Sequence, residues 1–299
     1  LSIEETSKLQ EIKEKIKKKL SDYNQKVNDS KEIACILTDT TVKKISQLEF
    51  GIDANIPMII QGFTSAGKSF LSNVASKINN RDCLSTALSE HTTTEDFLGR
   101  DIIKDDSSIT FIPGILLLAY TEGKTLILAE CDLAKPEILS CILGSISKNE
   151  LIVNNKVFRK MDGYNVILTM NGEAKGFNEM QRNILPSHIV TKFYLLHFDE
   201  IEEKESENIF NKQLISCQYY KKLENVQQIL VDLHKKMSKM SKEKQGRIDP
   251  IVTLRNLINC TYLDKSRIHP SIAAEISYIA RFPEEERNKF EDTIKGFGD

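Results

Sequence analysis

The chain has 299 residues, 40% of them hydrophobic, which is enough to bury the core of one large domain with a smaller one beside it. Lys and Arg number 41 against 43 Asp and Glu, a formal net charge of −2, and this balance excludes bulk electrostatic attraction to nucleic acid or to an anionic membrane. No apolar run approaches membrane-spanning length, no secretory signal is present, and the 6 cysteines include no Cys-x-x-Cys pair, so a soluble intracellular chain with buried free thiols is expected. It opens on Leu1 rather than Met, as a fragment of a longer chain would.

Leu9, Ile12, Ile16 and Leu20 recur at helical spacing among lysines and glutamates, which predicts a helix packing one apolar stripe on the body. Residues 21–30 are polar and read as a loop, so residues 1–30 form an N-terminal helical extension. A helix over residues 33–48 follows, then the polar turn Gly51 to Asn55. The apolar run Pro57 to Ile60 leads into Gly62-Phe63-Thr64-Ser65-Ala66-Gly67-Lys68-Ser69, and an amphipathic helix over residues 70–78 comes after it. Strand, Gly-x-x-x-x-Gly-Lys-Ser loop and helix in that order are the context of a phosphate-binding P-loop. Gly62 and Gly67 let the backbone curl so that N–H groups point at phosphate oxygens, and the helix start turns its positive end toward the same anion. Residues 62–70, with Phe70 closing the loop, are therefore the expected binding segment for ATP or ADP. Lys68 would reach the β- and γ-phosphates, and the Ser69 hydroxyl would take a Mg2+ coordination position.

Residues 83–88 read as the next strand. Thr92 to Thr94 supply N-caps for a short helix, and His91 beside them is assigned a structural role. Asp105 to Ser108 make the turn of a small hairpin with residues 109–112 as one arm, and an apolar helix over residues 115–120 follows Pro113-Gly114. The stretch Lys124 to Glu130 is a buried parallel strand, whose carboxyl end belongs beside the P-loop. Glu130 is the acid at that end; Ala129 stands where a metal-supporting acid is normally found, and Asp132 lies where a strand turning into a helix would aim it elsewhere.

Two β runs around Asn154-Asn155 predict a tight hairpin over residues 150–160. The stretch Asn165 to Gly172 is another buried strand with the polar Asn171 at its end, whose amide would hold the attacking water if the strand is central, and residues 192–198 supply a fifth. Beyond residue 201 apolar positions recur only at helical spacing, so an α/β core over residues 31–200 precedes an all-helical domain over residues 201–299. The lysine run from 235 to 244 is broken by glutamate, serine and methionine and reads as an exposed helix face rather than a nucleic-acid patch.

Gln61 to Ser69, Glu90-His91-Thr92 followed by Asp96-Phe97-Leu98-Gly99, and Leu126 to Ala134 together resemble an AAA+ ATPase module of the midasin/dynein branch, with midasin the nearer. The resemblance runs from about residue 37 to 290. It implies a three-layer core around a parallel five-stranded sheet and a small helical lid. It also implies Mg2+-dependent ATP binding, a ring of neighbouring AAA+ modules, and a protein or ribonucleoprotein substrate. A midasin-like chain would act in large-ribosomal-subunit assembly in the nucleus or nucleolus; otherwise the cytoplasm is expected.

Residue by residue, the resemblance makes Glu130 the Walker B glutamate, Asn171 the sensor-1 residue and Arg255, in Thr253-Leu254-Arg255-Asn256-Leu257, the sensor-2 arginine. The hairpins near 106 and at 150–160 match the branch's two insertions, and residues 277–287 match the end of such a module. Three positions depart from the pattern. Phe63 replaces a proline, Ala129 replaces the Walker B aspartate, and Val190 and Lys192 stand where arginines would reach a neighbour's nucleotide. Lysine lacks the bidentate fork of arginine. Two functions follow: an ATP-hydrolysing remodelling or dynein-like motor module, or a nucleotide-binding module of weak turnover with a structural or regulatory role.

Overall fold

The computed structural model describes residues 3–28, 34–105, 107–171, 185–215, 220, 225–243, 254–264, 267–278 and 280. Among these, two compact units separate: the described residues up to 199, and the described residues from 200 onward.

The first unit is built on a five-stranded parallel sheet. Its strands are β1 (Met58–Gly62), β2 (Cys83–Ala87), β5 (Thr125–Ala129), β8 (Asn165–Asn171) and β9 (Tyr194–Phe198), in the spatial order β2-β5-β8-β1-β9. β5, β8 and β1 are buried on both faces, which is why they read as continuous apolar runs rather than alternating ones. Register then decides which side chain faces where. Met58, Ile60, Ile127 and Ile167 join the core under α1 (Ile3–Asn28), α2 (Asp39–Asp53) and α3 (Lys68–Ile78). Ile59, Leu126, Leu128, Val166 and Leu168 join the core on the opposite face, under α5 (Ile115–Glu122) and α6 (Pro136–Ser147). The period of two places Gly62, Ala129, Thr169 and Asn171 on the α3 side, at the carboxyl ends of three adjacent strands.

The predicted loop over residues 21–30 is overturned: α1 runs on through Asn28. Val27 is buried, Tyr23 half-buried, and the Asn24 amide both donates to the Cys35 carbonyl and accepts from its N–H, each at 2.7 Å. Ile16, Leu20, Tyr23 and Val27 continue one stripe at i, i+4, i+7 and i+11, whereas Ile12 is exposed. Polar composition concealed that stripe. α2 likewise starts at Asp39 rather than 33, because the Thr38 hydroxyl accepts from the Thr41 N–H and caps it there.

Two antiparallel hairpins form two-stranded sheets of their own. One pairs β3 (Gly99–Ile103) with β4 (Ile109–Pro113), so Pro113 ends a strand and the helix begins at Ile115. The other pairs β6 (Glu150–Val153) with β7 (Lys156–Arg159) through Asn154 and Asn155, both at positive φ (48° and 58°), as a two-residue turn matched to strand twist requires. Before the first hairpin, Thr93 and Asp96 close a reciprocal capping box on α4 (Thr94–Leu98). α7 (Ser187–Val190) leads into β9.

The second unit is helical: α8 (Glu203–Ile215), α9 (Val226–Glu243), α10 (Leu254–Asp264) and α11 (Pro270–Ser277). Phe210, Val226, Leu230, Leu233, Met237, Cys260, Ala273, Ala274 and Tyr278 form its own buried core. On α9 the apolar stripe is buried while Lys235, Lys236 and Lys239 are exposed, and Lys235 pairs with Glu207 at 2.6 Å. No helix among the described residues is long and apolar enough to cross a membrane.

Candidate nucleotide-binding site

β1 is a central strand, and its last residue, Gly62, sits so close to β9 that a Cβ there would lie 2.1 Å from the Phe198 carbonyl oxygen. Only glycine fits. From Gly62 the chain turns through Phe63 to Gly67, with Ser65 (φ 66°) and Gly67 (φ 84°) both in the left-handed region and the Ala66 N–H closing a turn on the Phe63 carbonyl at 3.2 Å. Left-handed residues alternating with right-handed ones make a concave nest of backbone N–H groups, and α3 begins directly on it, so its first-turn N–H groups face the same hollow.

Lys68 is buried, which a lysine tolerates only when its ammonium is fully served. Its Nζ donates to the Gly62 carbonyl (2.8 Å), the Phe63 carbonyl (2.7 Å) and Asn171 Oδ1 (3.0 Å). Asn171 reaches it because Gly62 and Asn171 are register partners across β1 and β8. Two candidates 103 positions apart in sequence thus meet at one ammonium.

Thr64 Oγ1 and Ser65 Oγ are buried yet have no hydrogen-bond partner among the described residues. A buried hydroxyl left unpaired costs about 1–3 kcal/mol, so two in one loop call for an acceptor from outside the described residues. Phosphate oxygens, acceptors only, match them, the nest and the lysine alike. Ala66 is buried, Phe63 exposed and Phe70 half-buried.

Ser69 is the second residue of α3, and its Oγ lies 3.4 Å from Thr169 Oγ1 on β8. Thr169 is buried and is the register partner of Ala129 on β5. No cluster of three or more His, Cys, Asp or Glu able to hold a metal ion occurs among the described residues. The two hydroxyls, Ser69 Oγ and Thr169 Oγ1, are neutral oxygens of the kind that could contribute to holding a cation.

Glu130 follows Ala129 with its side chain exposed and its backbone left-handed (φ 57°, ψ 45°), ending β5 in a 3-10 turn over Cys131–Leu133. It stands at the same sheet edge as Gly62, Thr169 and Asn171. Asp132 is buried within that turn, and burial, reinforced by the Asp132 charge, pushes the Cys131 thiol up to about 12. His91 is exposed with its ring Nε2 3.5 Å from Glu90 Oε1, and its backbone N–H donates to Ser89 Oγ. Val190 is half-buried, packed against the α5/α6-side core, and Lys192 is exposed. Arg255 belongs to the second unit, exposed at the second position of α10. Residues 279, 281–287 and 253 from the sequence pattern lie outside the described residues. Sequence reasoning missed Thr169: a lone threonine in a buried strand carries no signal until strand register sets it opposite Ala129.

In sequence, the chain is 27% identical over 241 residues to uncharacterized proteins of Staphylococcus aureus strains USA300 and NCTC 8325 / PS 47, an alignment covering 77% of this chain and 87% of theirs. In structure, it aligns with a "putative ATPase" from Cytophaga hutchinsonii at 10% identity and a TM-score of 0.49, covering 96% of this chain and 88% of that one. Residues 57–185, which hold β1, the glycine loop, β5 and β8, match the family model of the AAA domain, dynein-related subfamily.

Proposed function

We propose that the first unit binds ATP in the loop over residues 62–70 and, with Glu130 directing water, hydrolyses it. The observation that carries this is the pair of buried hydroxyls on Thr64 and Ser65, without a partner among the described residues, in the same loop as the Lys68 ammonium. A phosphate oxygen entering the nest accepts from those hydroxyls and from the loop N–H groups, and takes one of the Lys68 donors in place of a present acceptor. Ser69 is the residue that would hold magnesium, which would supply charge neutralisation. The exposed Glu130 carboxylate would orient the attacking water, and Asn171, already bonded to Lys68, fixes the ammonium and the edge of β8 against each other. Arg255 would add charge as the branch resemblance suggests. Work of this kind suits a module in a ring with similar neighbours, remodelling a protein or ribonucleoprotein assembly as midasin-like modules do.

A second reading, tight binding with slow turnover, is favoured by one position: Ala129 supplies no carboxylate beside the metal. The two part on a single experiment with the full chain. Nucleotide affinity and phosphate release are measured for the wild type, Lys68→Ala and Glu130→Gln. Lys68→Ala should lose at least about 1.4 kcal/mol of binding, a tenfold weaker Kd. Glu130→Gln should bind as the wild type does and release no phosphate. Unchanged affinity in Lys68→Ala removes the nucleotide reading; a wild type that binds but releases no phosphate selects the second.

A further inference from the structure

We propose that Thr169 is the metal-side positioning residue of this site. Its hydroxyl and that of Ser69 form an uncharged wall where a strand-end carboxylate is absent at Ala129, so magnesium reaches the chain only as its complex with the nucleotide's phosphates. This rests on the nucleotide reading above and concerns what that site does with its cation.

The argument is one of register. Ala129 and Thr169 are paired across β5 and β8, and both continue the face that carries Ile127 and Ile167 into the core beneath α3. They therefore project side by side toward the first turn of α3, where Ser69 stands. On β5 that position offers a methyl group; on β8 it offers a buried hydroxyl 3.4 Å from Ser69 Oγ. A hydroxyl there orients the serine lone pairs but brings no negative charge. Outer-shell carboxylates beside a metal site typically contribute about 10–100-fold in metal affinity. Among the described residues that factor is missing, and the two carboxylates that follow Ala129 are placed differently: Glu130 is exposed beyond the strand end and Asp132 is buried in the following turn. A further requirement is that no protein cage holds the ion by itself, and among the described residues no such cluster exists.

The test compares ATP affinity in magnesium with that in EDTA, for the full chain and four variants, alongside binding of Mn2+ alone followed by its electron paramagnetic resonance signal. In the wild type the two affinities should differ by less than about tenfold, and Mn2+ without nucleotide should stay free. Ala129→Asp should widen the magnesium-to-EDTA ratio by about 10–100-fold. Thr169→Val, which removes the hydroxyl at nearly constant volume, should bring the ratio to about one, and Thr169→Ser should keep the wild-type ratio. A ratio unchanged in Thr169→Val overturns the proposal, as does equal loss in the Val and Ser variants, which would mark a packing effect. So do tight binding of Mn2+ alone and a ratio that collapses in Asp132→Asn. Should Thr169→Val not fold, the Ala129→Asp ratio decides alone. Absence of ATP binding in both media is a different failure, since it removes the nucleotide reading itself.

Discussion

Glu130 is a non-glycine residue held in the left-handed region at the point where β5 gives way to a 3-10 turn. That conformation brings Cβ too close to the next carbonyl oxygen and costs about 1–2 kcal/mol. Such strain survives where surrounding structure imposes it, and here Ala129 is locked between β2 and β8 while Cys131 is buried immediately after. Glu130→Gly should therefore raise the unfolding free energy by about 1 kcal/mol, read from urea titration, while ending phosphate release. A destabilised Glu130→Gly chain would show that the carboxylate, rather than the turn, holds this strand end. The neighbouring thiol reports on the same packing. Burial raises Cys35, Cys131 and Cys260 to about 12, so at neutral pH all three are protonated and should resist alkylation until the chain unfolds. The sign for stability follows. Thiols raised in the folded chain are neutral in both states below about pH 9, and folding weakens from there toward pH 12 as only the unfolded chain loses those protons.

At the scale of elements, the sequence was most readable where one physical demand repeats. The glycine loop is legible because Gly62 has no room for a Cβ and Gly67 needs positive φ, two demands that few residues meet. The buried strands β1, β5 and β8 are legible as unbroken apolar runs, and the β6–β7 turn from Asn154-Asn155. The second half of α1 was not, because its stripe is thinned to Tyr23 and Val27 among polar residues, and its anchor is a hydrogen-bonded asparagine rather than an apolar contact. Neither was the Ser69–Thr169 contact, which depends on register between strands far apart in sequence. α1 carries a stability prediction of its own. Leu20 is fully buried among α2, α3 and the sheet, and Lys19 beside it bonds both Glu49 and Asn79. Leu20→Ala should cost about 2–5 kcal/mol by urea titration, within the range for large-to-small core changes. A loss under about 0.5 kcal/mol, ordinary for surface positions, would mean that α1 is not part of this core.

At the scale of the molecule, each compact unit closes a hydrophobic core of its own, the first around the sheet and the second around Phe210, Leu230, Met237 and Tyr278. Nothing about folding alone then requires Arg255 to act on the first unit; that role rests on resemblance and needs its own test. The local structure makes the test clean. Arg255 is exposed, while its neighbour Asn256 is buried and donates to the Ser277 carbonyl at 2.6 Å, so α10 is fixed by the residue next to the arginine. Replacing Arg255 should leave stability within about 0.5 kcal/mol, as exposed positions do. Against that constant background, Arg255→Ala in the full chain should weaken ATP affinity or slow phosphate release by about tenfold, the scale of one charge-assisted hydrogen bond to a phosphate. Arg255→Lys should recover part of the loss, since it restores the charge without the planar fork. If Arg255→Ala matches the wild type in melting temperature, affinity and turnover together, the second unit contributes no charge to the nucleotide. The charge on Arg255 is then dispensable to the reaction, and hydrolysis is to be explained from Lys68, Glu130 and Asn171.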